Sequence, residues 1–325
     1  MRYPEILNIL KTKDWRSRRS VRGHYCAQDD TRFLDSPSRQ RALEMILPEI
    51  NKNTQHITTP LQRLGFNGYL KLPSHVHPTV VQNIKDHIFS NPIYDGHVKS
   101  YGSQNALYPK DENELSRLPS GYYTSDISTL LQCNEIFNIA SDPLIFNLVS
   151  SYLGTIPTIY SMNMMWNVSQ NRLDDHGVQK FHRDWDDFRS CCVFIYLTDV
   201  DESMGPHVYQ ASSHLECTEE ELDGSYPSHI ANPKAVDTVG NYCQEIFVGN
   251  KGDAFITDPY GLHKGSAIEN KGYRGVLWIR YGLYDNYICR NLDKNTSEIP
   301  PIFSEKFYPL SEDNYLHHLW RLFLV

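Results

Sequence analysis

The sequence has no stretch of about 18 consecutive apolar residues, the length a membrane-spanning helix needs. Its mean hydropathy is −0.50. Positive charge is in deficit: 31 lysines and arginines face 39 acidic residues, a formal net charge of −8. A chain that coats nucleic acid carries a basic stripe, and none is present here. Cysteine is sparse and unpatterned. The seven cysteines are an odd number and none is spaced Cys-x-x-Cys, so a zinc finger is not supported and buried reduced thiols are the expectation. The opening MRYPEILNILKTKDW lacks a long apolar core and a small-residue cleavage site. A secretory leader is therefore not expected, and a cytoplasmic protein is. Internal repeats and low-complexity tracts are also missing.

What the chain does have is enough apolar surface to fold. It is 40% hydrophobic and 12% aromatic over 325 residues, which rules out bulk disorder. Residues 1–60 read as a polar, helical N-terminal extension, with apolar residues at helical spacing in Tyr3–Leu10 and Ser38–Ile50. Leu61–Leu72 reads as a turn and strand. Helices are predicted over Val76–Phe89, Asp126–Ile139 and Asp142–Leu153. The intervening Asn91–Thr124 is rich in Tyr, Ser, Gly and Asn, and is expected to be a long loop near a pocket mouth.

From Pro157 onward, short runs of β-branched and aromatic residues predict strands: Thr158–Val168, Ser190–Leu197, Glu245–Val248, Ala254–Thr257 and Arg274–Leu283. An acidic insertion over 212–244 interrupts them. Helices followed by antiparallel-type strands predict an α+β, mainly β, fold with helices packed on a sandwich or barrel.

The phrase Phe181-His182-Arg183-Asp184-Trp185 carries the chemistry. On an extended segment, His182 and Asp184 leave the same face and can offer two ligands to one divalent metal. With 14 histidines and 39 acidic residues, composition alone gives about two His-x-acid triplets, and the chain has two, the other being His214-Leu215-Glu216. Context favours the first, which directly precedes the apolar strand Ser190–Leu197. His263 follows a strand and a Pro259–Gly261 turn, and would complete the 2-His-1-carboxylate set of non-haem iron(II) oxygenases. Arg274 begins the next strand, and its planar fork suits a carboxylate. Arg280 has the same strand parity and is the alternative anchor. Three open metal positions beside a buried arginine call for a chelator with a distant carboxylate. 2-Oxoglutarate is one, and O2 would take the remaining position.

Several segments together carry a family resemblance. GFNGYLKLPSHVHPTVVQNIK, FHRDW, GPHVYQASSH and GDAFITDPYGLHKGSAIENKGYR, in that order, resemble the phytanoyl-CoA dioxygenase (PhyH-like) family of Fe(II)/2-oxoglutarate oxygenases, over about Leu61–Leu283. Ala211-Ser212 departs from the commoner Pro-Gly. The resemblance implies a double-stranded β-helix (jelly-roll, cupin-like) core with flanking helices, the catalytic domain spanning 61–325 and its strand core about 157–284. It implies His182, Asp184 and His263 as iron ligands and Arg274 as the 2-oxoglutarate anchor. Tyr196, Met164 and Ser266 would line the cosubstrate pocket. Because Asp184 is kept, halogenation is disfavoured and oxidation of a C–H bond in a small-molecule substrate, with release of succinate and CO2, is expected. The 91–124 and 212–244 segments are candidate lids. The competing expectations are a non-catalytic cupin-like protein that binds metal or a small molecule, and a zinc hydrolase on the same ligands. Neither nucleic acid nor membrane is an expected partner, and oligomeric state is not legible.

Overall fold

The computed structural model describes residues 54–96, 105–119, 121–153, 156–169, 179–184, 190–215, 243–269, 272–282, 314–320 and 323. Helices dominate its first part: α1 (Thr54–Asn67), α2 (Pro78–Phe89), α3 (Glu112–Leu115), α4 (Ile127–Gln132), α5 (Asn134–Ala140) and α6 (Pro143–Leu153), with α7 (Tyr315–Trp320) near the end. Strands are β1 (Tyr69–Leu72), β2 (Ile93–Asp95), β3 (Tyr122–Ser125), β4 (Thr158–Val168), β5 (Ser190–Tyr196), β6 (His207–Gln210), β7 (Gln244–Phe247), β8 (Ala254–Thr257), β9 (His263–Gly265) and β10 (Tyr273–Gly282). Among the described residues, no helix is long and apolar enough to cross a membrane.

Local chemistry sets the helix starts. Pro78 occupies the first turn of α2, where a missing N–H costs nothing, and the His77 ring accepts from Thr79 N at 3.3 Å. Val81, Ile84 and Ile88 then bury one stripe of that helix. Asp126 caps α4 by accepting from Thr129 N at 2.7 Å, and Asp142 caps α6 by accepting from Leu144 N and Ile145 N at 2.9 and 3.0 Å.

The strands form a seven-stranded sheet, in the order β1-β8-β5-β10-β4-β3-β2, and a three-stranded sheet, β7-β6-β9. Every pairing is antiparallel. This is the β-rich α+β jelly-roll expected from the sequence. The large sheet divides its side chains by the two-residue period of a strand. Met164, Trp166, Ile195, Ile256, Leu277 and Ile279 join the main apolar core with the helices. Their neighbours Met165, Asn167, Tyr196, Phe255, Val276 and Arg280 point the other way and line a cavity of about 610 Å³. His207 and His263, on the small sheet, line it from another side.

Two parts of the sequence reading differ from this fold. Residues 61–67, read as part of a turn and strand, are helical, and α1 runs across position 60. Gly68 makes the break: its φ is +81°, and a Cβ there would stand 2.3 Å from the Tyr209 hydroxyl. Second, Asn91–Thr124 contains β2, α3 and most of β3. Gly96, Gly121 and Tyr122 do line the cavity, as a loop at its mouth would. Tyr3–Leu10, Ser38–Ile50 and nearly all of the 212–244 insertion lie outside the described residues.

Candidate metal centre

The cavity floor is built where the His182–Asp184 segment meets β9. His182 and His263 pair as an isolated antiparallel bridge, exchanging backbone hydrogen bonds of 2.9 and 3.0 Å. Asp184 N donates to Pro259 O at 2.9 Å. The turn that delivers His263 is itself pinned. The buried Asp258 carboxylate accepts from Tyr152 Oη at 2.6 Å and from Tyr260 N at 2.9 Å, while Tyr209 Oη donates to the Asp258 carbonyl at 2.9 Å.

Arg183, between the two ligand candidates, points away from the cavity as strand alternation requires. It is 2% exposed and donates to Ser213 O at 2.7 Å and Tyr260 O at 2.8 Å, tying the turn to the segment after β6. The Gln210–His214 stretch is thus scaffolding: Ser213 Oγ accepts from Leu262 N at 2.7 Å, and the His214 ring lies 3.1 Å from Gly65 O. The second His-x-acid triplet therefore starts from a ring committed elsewhere.

One ligand atom from each of His182, Asp184 and His263 lies within 4.8 Å of the others, and among the described residues no other such trio converges. Each His Nε2 is 3.7 Å from a different Asp184 oxygen. Metal–ligand bonds of about 2.1 Å at a right angle would hold donors about 3 Å apart, so each His–Asp pair stands close to ligating separation. Tautomers are fixed by the backbone. His182 Nδ1 is 2.8 Å from Lys180 O, and His263 Nδ1 is 2.8 Å from Gly261 O. A carbonyl only accepts, so each Nδ1 carries the proton and each Nε2 presents a lone pair to the centre, the usual second contact of a metal-ligating histidine. Two imidazoles and one carboxylate on one side of an open cavity fit a first-row divalent ion.

Electrostatics agree. Burial raises the Asp184 pKa, but Arg280, then His263 and His182, outweigh it and hold the carboxyl below its ordinary range. Arg280 Nη2 donates to Asp184 Oδ2 at 2.7 Å. Burial, then repulsion from His182, brings the His263 pKa down to about 4 although Asp184 opposes this. An unfolded histidine binds its proton near pH 6.5, and folded His263 does so only at about 4. Between those values the unfolded chain holds the extra proton, so stability falls as pH falls through this window. The depressed Asp184 pKa adds stability that is lost only further down, below the ordinary carboxylate value. The metal-free protein should therefore lose several degrees of Tm on acidification from about pH 6.5 to about 4.5. Thermal melts in chelator at stepped pH measure this, and a rising Tm would contradict the buried neutral His263.

The remaining candidates separate by position. Arg274 is 7% exposed, lines the cavity and donates from Nη2 to Asn167 Oδ1 at 3.0 Å. Its rival Arg280 lies six residues along β10, on Asp184 and over the Trp278 ring at 4.7 Å. Tyr196 and Ser266 line the cavity. The Tyr196 hydroxyl donates to Phe247 O at 2.6 Å, and burial foremost pushes its pKa up to about 12. Met164 is corrected: its side chain is fully buried in the helix-facing core, and Met165 lines the cavity instead. Adjacent residues on β4 face opposite ways, and a one-residue error of register exchanges them. The sequence reading also missed His207, which is 8% exposed in the cavity wall.

The chain is thus a jelly-roll whose cavity brings two imidazoles and one carboxylate to a single point. No family model matches the chain, and no curated protein does. Solved structures of the same fold exist. The non-haem α-ketoglutarate-dependent epimerase SnoN from nogalamycin biosynthesis matches with TM-score 0.51 at 14% identity, over 71% of this chain and 82% of SnoN. SnoN in complex with Fe3+, α-ketoglutarate and nogalamycin RO matches with TM-score 0.50 at 13% identity, over 71% and 84%. At this identity the likeness establishes the fold alone.

Proposed function

We propose that the chain is an Fe(II)/2-oxoglutarate-dependent oxygenase of the phytanoyl-CoA dioxygenase type, oxidising a C–H bond of a small-molecule substrate and releasing succinate and CO2. The catalytic unit begins with α1, which runs across the expected boundary at 60, and continues to residue 325, with the residues before Thr54 as an extension. The observation that carries this reading is the convergence of His182, Asp184 and His263, with both imidazole tautomers preset, in a cavity that also holds the buried Arg274.

The three side chains would hold Fe(II), which supplies the redox chemistry with O2 once 2-oxoglutarate is bound. Arg274 gives the cosubstrate's far carboxylate a fixed cation, leaving the keto-acid end to the metal. Arg280 keeps Asp184 ionised and oriented. Phe194, Phe255, Val276 and Trp278 make much of the wall apolar, which limits water around the reacting groups. Tyr122, Gln179 and Met165 offer a mixed surface to a substrate.

Anaerobic addition of Fe(II) and 2-oxoglutarate tests the class before any substrate is known. A weak visible charge-transfer band should appear with both present and with neither alone. Its absence in metal-loaded protein would favour a binding protein without turnover. Screening small metabolites for stimulated succinate release, then mass spectrometry for a product heavier by one oxygen, identifies the substrate.

A further inference from the structure

We propose that His207 donates a hydrogen bond from Nε2 to the same carboxylate that Arg274 anchors, so that the far end of 2-oxoglutarate has a two-point seat. This rests on the cosubstrate reading above and adds a residue to it. His207 on β6 pairs directly with Gly265 on β9, and Arg274 Nη2 lies 3.5 Å from where a Gly265 Cβ would stand. The imidazole and the guanidinium therefore flank one glycine.

Both groups carry a buried nitrogen without a partner: His207 Nε2 and Arg274 Nε. Of the rings around His207, Phe194, Phe247 and Phe255, with centroids at 5.0, 5.5 and 5.5 Å, offer no acceptor, and the His263 ring at 5.5 Å makes no hydrogen bond to His207 Nε2. An unmet buried polar nitrogen is costly, so an anion with two oxygens at this place, met by Arg274 Nε–H and by the Nε2–H tautomer of His207, relieves both at once. Tyr196 cannot serve instead, because its proton is committed to Phe247 O. Nor is His207 a fourth metal ligand. It stands outside the converging trio, with its ring centroid 5.5 Å from that of His263, against 4.3 Å between His182 and His263.

The test uses the full chain loaded with Ni(II) and titrated calorimetrically with 2-oxoglutarate and with pyruvate, which has the keto acid but no second carboxylate. His207→Leu should weaken 2-oxoglutarate binding about 10- to 100-fold, the worth of a hydrogen bond to a charged group, and leave pyruvate unchanged. His207→Gln, which keeps a donor, should retain most of the preference. His207→Phe supplies a second donor-free side chain should leucine fail to fold. Unchanged 2-oxoglutarate affinity in the donor-free variants, or an equal loss for pyruvate, overturns the role of His207 alone. Failure of Ni(II)-loaded wild-type protein to bind 2-oxoglutarate overturns the cosubstrate reading itself.

Discussion

Replacing Asp184 with alanine should abolish specific metal binding and substrate-coupled succinate formation together. Losing even a contact behind a ligand typically costs about 10- to 100-fold in metal affinity, so losing the carboxylate ligand should cost more. The same change has a second effect. Arg280 Nη2 sits 2.7 Å from Asp184 Oδ2, and both side chains are only 18% exposed. Removing the acid strands a largely buried cation, which costs on the order of 3 kcal/mol of stability. The double variant Asp184→Ala with Arg280→Leu should therefore regain thermal stability without regaining metal. Metal titration and thermal melts on both variants separate ligation from packing. An Asp184→Ala protein that still turns over would remove the carboxylate from the ligand set.

Arg274→Leu should raise the 2-oxoglutarate KM by at least about 100-fold, the value of a charge-assisted contact in a dry site. Metal affinity should hardly change. Arg280→Gln is the informative companion. Both arginines sit on the cavity face of β10, and the sequence alone left the choice of anchor open. Arg280 is engaged with Asp184, whereas Arg274 faces Asn167 and Gly265. Arg280→Gln should thus disturb metal affinity more than cosubstrate KM. Kinetics at varied 2-oxoglutarate, with metal affinity measured in parallel, distinguish the two, and the opposite pattern would make Arg280 the anchor.

Much of this architecture was legible because long strands advertise themselves. β4 and β10, eleven and ten residues long, are rich in β-branched and aromatic side chains and mostly buried, and their predicted bounds fall within a residue of those observed. β6 and β9 were not foreseen. The first is four residues and the second three, too short for any period to declare itself. β2 and β3 hide in a stretch rich in turn-forming residues, and they exist because the edge of the large sheet gives them a partner. At the site, the convergence of His182, Asp184 and His263 matches the ordered motifs. Met164 failed for a different reason: a strand predicted on both faces does not say which residue faces which way. His207 had no motif of its own. The available signal was Gly205-Pro206 just before it, a turn that starts a strand with His207 and Tyr209 on one side.

The large sheet makes its central strands answer to two demands in turn. Along β10, Arg274, Val276, Trp278 and Arg280 serve the cavity, while Leu277, Ile279 and Tyr281 hold the helical layer. A saturation scan of that strand would consequently split by parity, one set of positions losing abundance and the next losing turnover. Selection for a new substrate can then act on alternate residues without loosening the wall that carries them.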